Sequence, residues 1–140
     1  MDFSYPDNVC FECSGCGLCC GDTPQKERHV LVLASEAKEI SSETQLPIVE
    51  FAKKTTDSLY VYEMNKPNGR CFFLKNRRCS IYESRPLICR YYPFEVRFNS
   101  ERGMHVFNYT LECPTINKEG KQLVKQDFER LFLLAEERLL

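Results

Sequence analysis

The sequence predicts an α+β fold: one small antiparallel sheet with short helices, a metal-stapled cysteine-rich N-terminal loop and a C-terminal helix. Three observations carry that expectation. Apolar, strand-like runs separated by turn residues fill the middle of the chain from Leu59 to Tyr109. Val124, Phe128, Leu131, Ala135 and Leu139 recur at spacings of three and four in the final segment, the period of one helix face. The first 28 residues lack apolar periodicity yet place five cysteines between Cys10 and Cys20. Such a segment has no hydrophobic core of its own and needs a staple. With 140 residues, the chain is expected to form a single domain over 1–140.

In chain order, "HVLVLA" at 29–34 predicts a buried strand. Ser35 is placed to cap a short helix over "EAKEI", and Pro47 fits the first position of a second helix, "PIVEFAKKT". "LYVYEM" at 59–64 predicts a strand. Asn68-Gly69 signals a hairpin, with "CFFL" at 71–74 as the returning strand. "KNRR" turns again into "CSIY" at 79–82. Pro86 starts and Pro93 stops one helical turn in "SRPLICRYYP". "FEVRF" and "MHVFNY" flank "NSERG" as a second hairpin, and Lys121–Leu140 reads as a helix whose apolar face packs on the core, with a dimer interface as the alternative. The expected core comprises Leu31, Leu33, Phe51, Val61, Leu74, Ile81, Ile88, Val96, Val106 and Leu131.

The compartment decides how to read nine cysteines. "MDFSYPDNVCFE" has neither the basic nor the apolar region of a secretory signal, and no apolar run approaches the ~18 residues of a membrane span. The expected location is cytoplasmic, where thiols are kept reduced. The count is odd, and a bridge between the neighbours Cys19 and Cys20 would be strained. Metal ligation is therefore expected over disulfides. The loop can be read two ways. Cys10, Cys13, Cys16 and Cys20 follow the C-x2-C-x2-C-x3-C run of bacterial ferredoxins, with Gly21 where that run carries proline. Alternatively Cys13, Cys16, Cys19 and Cys20 are the ligands. Cys71, Cys79, Cys89 and Cys113 lie in the body of the chain, and the loop is expected to fold back towards them. Deprotonated sulfur in tetrahedral array suits both zinc and an iron–sulfur cluster, so spacing points to metal without naming it. His29 and His105 sit in strand-like stretches and are expected to be structural or exposed.

Net charge is −1, which gives no global reason to expect nucleic acid or an acidic membrane as partner. Locally, Arg70 to Arg97 holds seven cations against Glu83 and Glu95, interleaved with Tyr82, Tyr91 and Tyr92. A single-stranded nucleic acid could use such a pattern. The expected role is instead counter-charge to metal-bound thiolates, for which guanidinium is suited.

These residues resemble the CxxCxxCC, or YkgJ-like, cysteine-cluster family. "FECSGCGLCC" fits F-x-C-x-x-C-G-x-C-C, and "CFFLKNRRCSIYESRPLICRYYP" fits C-x-[FL]-L followed by C-x-I-Y-x-x-R-P-x-x-C-R-x-Y-P. The match covers about residues 11–93, with Cys113 as the usual late cysteine. The resemblance implies zinc or iron chelation through Cys13, Cys16, Cys19, Cys20, Cys71, Cys79, Cys89 and Cys113; Cys10 departs from the pattern. Most members have no assigned activity. Three roles follow: an iron–sulfur protein for electron transfer or a cofactor-dependent reaction; a structural zinc module that presents a surface to a protein partner; and, more weakly, a relative of protein lysine methylases. No Gly-rich loop after a strand and no C-x3-C-x2-C run supports the third.

Overall fold

A computed structural model describes residues 3–12, 21–23, 26–113, 115–118 and 120–139. In chain order the elements are β1 (Phe3–Ser4), β2 (Leu31–Val32), α1 (Ala34–Thr44), α2 (Ile48–Phe51), β3 (Ala52–Lys54), β4 (Tyr62–Met64), β5 (Leu74–Lys75), β6 (Arg78–Cys79), α3 (Leu87–Tyr91), β7 (Phe94–Asn99), β8 (Met104–Tyr109) and α4 (Lys125–Leu139). Small sheets, short helices and a C-terminal helix make this the α+β class that the sequence predicts. The loop expected to be metal-stapled lies outside the described residues. No helix among them is long and apolar enough to cross a membrane. The described residues between 15 and 90 form one compact unit, and those before and after form another.

In the first unit β4 is the central strand, antiparallel to both β2 and β3, with Val32 and Lys54 both opposite Tyr62. That occupancy explains why 71–74 is not a strand paired with "LYVYEM": both edges of β4 are already taken. The Asn68-Gly69 turn does form, with φ of 58° and 76° and a bond from Arg70 N–H to Pro67 O at 3.2 Å. Phe72 N–H then meets Asn65 O at 2.9 Å, but only Leu74–Lys75 becomes strand, paired with Arg78–Cys79. The turn joining β5 to β6 places Asn76 and Arg77 at φ of 50° and 64°. Arginine there sits in a left-handed conformation that glycine adopts without steric cost. Arg77→Gly should therefore stabilise the protein by about 1 kcal/mol, read as a higher urea midpoint at unchanged slope.

Two helix expectations are corrected. Ser35 does not cap α1; the helix starts at Ala34 because the Glu36 carboxylate accepts the Leu33 N–H at 3.0 Å. Leucine has no acceptor for the reciprocal bond, so only the glutamate half of a capping box is present. Pro47 is the residue before α2 rather than its first. That helix ends after one turn because Ala52–Lys54 pair with β4. Val30, Val32, Ala37, Ile40, Phe51, Ala52, Met64, Phe73 and Ile81 form the core of this unit.

In the second unit β8 is central, antiparallel to β7 and parallel to β1. The β7–β8 hairpin is the one expected around "NSERG". α4 begins at Lys125 instead of Lys121, since Gln122 bridges Cys10 and Leu123 N–H bonds Val9 O at 2.8 Å. The Asp127 carboxylate accepts Val124 N–H at 2.8 Å and caps the helix start. Phe128 is fully buried, with ring centroids 5.3 Å from Tyr5 and Phe94 and 5.2 Å from Phe107. Of the expected core, Leu33, Phe51 and Ile81 are buried, and the other seven are half-buried. Of the expected α4 face, Phe128 is buried and Leu131 and Ala135 are half-buried, whereas Val124 precedes the helix and, like Leu139, is exposed.

Candidate metal centre

Cys71, Cys79 and Cys89 all border the hydrophobic core of the first unit. Cys71 is 9% exposed and belongs to the core cluster of the first unit, and Cys79 and Cys89 pack against that cluster. The local bonding explains the arrangement. Leu74 N–H bonds Cys71 O at 3.0 Å, curling 71–74 into a turn. The tight β5–β6 hairpin sets Cys79 opposite Leu74. Ser80 then clasps Phe73 O twice, by N–H at 2.8 Å and by hydroxyl at 2.7 Å.

Cys89 rides on α3. Pro86 O accepts Cys89 N–H at 3.0 Å. The second oxygen of Glu36 accepts Leu87 N–H at 2.6 Å, tying the start of α3 to the start of α1. Glu36 is 4% exposed. Little in the residues around it marks this role: a glutamate three residues after an apolar residue lacks the Ser or Thr that marks a capping box. Arg85 Nε donates to Tyr82 O at 2.8 Å, and its guanidinium lies 3.7 Å from the Tyr82 ring centroid. Arg90 Nε donates to Arg85 O at 3.2 Å, and Arg90 also donates to Glu83 O. Both half-buried arginines therefore brace the backbone around Cys89. Arg70, Lys75, Arg77 and Arg78 are exposed, whereas Arg85 and Arg90 are half-buried.

Cys13, Cys16, Cys19 and Cys20 lie outside the described residues, but the residues flanking them are held. Gly21 forms an antiparallel bridge with Arg70, and Asp22 N–H bonds Gly69 O at 2.8 Å. Asp22 Oδ1 accepts Lys66 Nζ at 2.7 Å and Arg28 N–H at 2.8 Å. These bonds, that of Lys66 first, hold the Asp22 carboxyl below the ordinary carboxylate range. A Cβ on Gly21 would stand 2.9 Å from both Gly69 O and Arg70 Cδ. Gly21→Ala should force this bridge apart and lower stability by about 2 kcal/mol, with faster amide exchange at Asp22 as the check.

In the second unit Cys113 is 7% exposed. Its Sγ lies 3.5 Å from Thr115 Oγ1, which donates to Glu12 O at 2.9 Å. Gly120, at φ +90°, leaves no room for a side chain: a Cβ would meet Phe11 O at 2.5 Å. Residues 11 and 12 are thus fixed where they lead into Cys13. Cys10 is fixed by backbone bonding with Asn117, N–H to Oδ1 at 3.3 Å and carbonyl to N–H at 2.7 Å. His29 is exposed, with Nδ1 2.9 Å from Glu63 Oε2. The His105 ring centroid lies 5.1 Å from those of Phe98 and Phe132. Among the described residues no three His, Cys, Asp or Glu side chains are grouped so as to hold a metal ion.

The family model CxxCxxCC, described as "Putative zinc- or iron-chelating domain", matches residues 12–114. The chain belongs to this family. The match takes in Cys13 to Cys113 and leaves Cys10 outside. An uncharacterized protein of Methanocaldococcus jannaschii is 32% identical over 97 residues, which are 66% of this chain and 50% of that protein. The chain thus spans about half the length of that relative. No solved structure matches.

Proposed function

We propose that this CxxCxxCC protein binds iron–sulfur, its four-cysteine ligand sets drawn from Cys13, Cys16, Cys19, Cys20, Cys71, Cys79, Cys89 and Cys113. The observation that carries this reading is the Gly21–Arg70 bridge. It joins the residue that follows the cysteine loop to the residue that precedes Cys71. The same holds at the other flank, where Cys13 follows Glu12 and the Glu12 carbonyl is held by the threonine that touches Cys113 Sγ.

The donor set fits the group. It is entirely sulfur, and it includes two buried cysteines, Cys71 and Cys113. A thiolate at such depth needs a cation to offset its desolvation. An iron–sulfur cluster would supply one-electron redox chemistry. The chain's own residues position the ligands: Glu36 fixes the start of α3, and Arg85 and Arg90 fix the turn that leads into it. Zinc would fit the same thiolates and would supply folding free energy alone. Protein purified without oxygen is expected to be brown and to bleach on reduction with dithionite. Colourless protein containing zinc would overturn the cluster.

A further inference from the structure

The β5–β6 hairpin breaks three local rules at once. Lys75 and Arg78 are paired directly across the two strands, and like charges in that position repel. Arg77 occupies a left-handed backbone position, φ 64°, where glycine is the unstrained choice. None of Lys75, Arg77 and Arg78 has an acidic partner among the described residues, and all three are exposed. The like-charge pair disfavours the free hairpin and would be relieved by an anion laid across its tip, while the backbone of Arg77 keeps a cation at that tip where glycine would be unstrained. Departures of this kind collect at functional sites.

We infer that the hairpin tip is a docking site for an acidic segment of a partner protein. Its position beside the cluster relevant to electron or metal exchange rests on the function proposed above, since Cys79 is the last residue of the same hairpin. A polypeptide is favoured over a single-stranded nucleic acid because the neighbouring aromatic faces are engaged. The Arg85 guanidinium covers Tyr82 at 3.7 Å, Lys75 Nζ lies 5.8 Å from the Phe72 centroid, and Phe73 packs edge-on against Phe72. Base stacking needs such faces open. Three cations, one on a two-residue turn and two flanking it, match closely spaced carboxylates, whose attraction steers association and weakens with salt.

The test uses the full metal-loaded chain, with a fluorescent ten-residue peptide of alternating Glu and Gly and, in parallel, a labelled ten-nucleotide oligothymidylate. Saturable peptide binding is expected, and affinity should fall about tenfold or more on raising salt from ~50 to ~200 mM. The triple variant K75Q/R77Q/R78Q should lose peptide binding by at least about tenfold, keep wild-type metal content and melt no lower than wild type. Tighter binding of the oligonucleotide through the same residues, unchanged peptide affinity in the variant, or no peptide binding at all would overturn the proposal. Loss of metal from the variant would also overturn it, because the cations would then be counter-charge to the centre. If wild-type protein bears no metal yet binds the peptide through these residues, the function proposed above fails while the docking site stands.

Discussion

Replacing Glu36 by leucine should destabilise the protein by about 4 kcal/mol. One buried carboxylate accepts two backbone N–H groups, from Leu33 at 3.0 Å and from Leu87 at 2.6 Å. Leucine leaves both without an acceptor, and each such donor costs about 1–3 kcal/mol. Glu36→Gln should cost roughly half as much, because one carbonyl oxygen survives while the amide NH2 faces the other N–H. Glu39→Leu, on the exposed side of α1, serves as control and should stay within ~0.5 kcal/mol. Urea denaturation of the metal-loaded protein measures all three. Because Leu87 N–H opens the helix that carries Cys89, E36L should also release metal to a chelator faster than E39L. Equal release rates would show that Glu36 holds the fold without positioning the ligand.

Serine at Cys89 or at Cys16 should strip the centre. A serine hydroxyl stays protonated at neutral pH and cannot replace a thiolate donor. Binding free energy at a cysteine-ligated metal is folding free energy, on the order of 10 kcal/mol per site. Loss of a ligand should therefore appear as a lower melting temperature together with reduced metal content. Cys10→Ser separates the two readings of the loop. The family match begins at residue 12, so C10S is expected to keep its metal. If C10S lost metal while C19S kept it, the ferredoxin-type run would be the ligand set. Full metal content in both C16S and C89S would refute the ligand assignment.

Features encoded by a few neighbouring residues were legible from the sequence. Pro86 and Pro93 bracket α3, "NSERG" makes the β7–β8 turn, and the period of α4 is plain. Features set by distant partners were not. β1 is two residues long and pairs with a strand about a hundred positions away, too short a run for any period to appear. "PIVEFAKKT" has helical character, yet β4 draws its second half into a sheet. Glu36 resembles any exposed helical glutamate until its two amide partners are in place. At the candidate site the cysteine spacing announced metal, and the structure added the bracing: the Ser80 clasp, the Glu36 tie and the guanidinium bonds of Arg85 and Arg90. A loop with glycines in place of apolar residues carries no packing code for its own path, which is why spacing alone left two ligand sets open.

The measurement that bears most directly on the central claim is quantification of metal and inorganic sulfide in protein purified without oxygen. Iron and sulfide in stoichiometric amounts, both lost in C89S, are the expected result. Zinc without sulfide would retain metal binding and remove the cluster. Folded protein free of metal, with all nine thiols open to titration and a melting temperature indifferent to chelators, would contradict the claim itself.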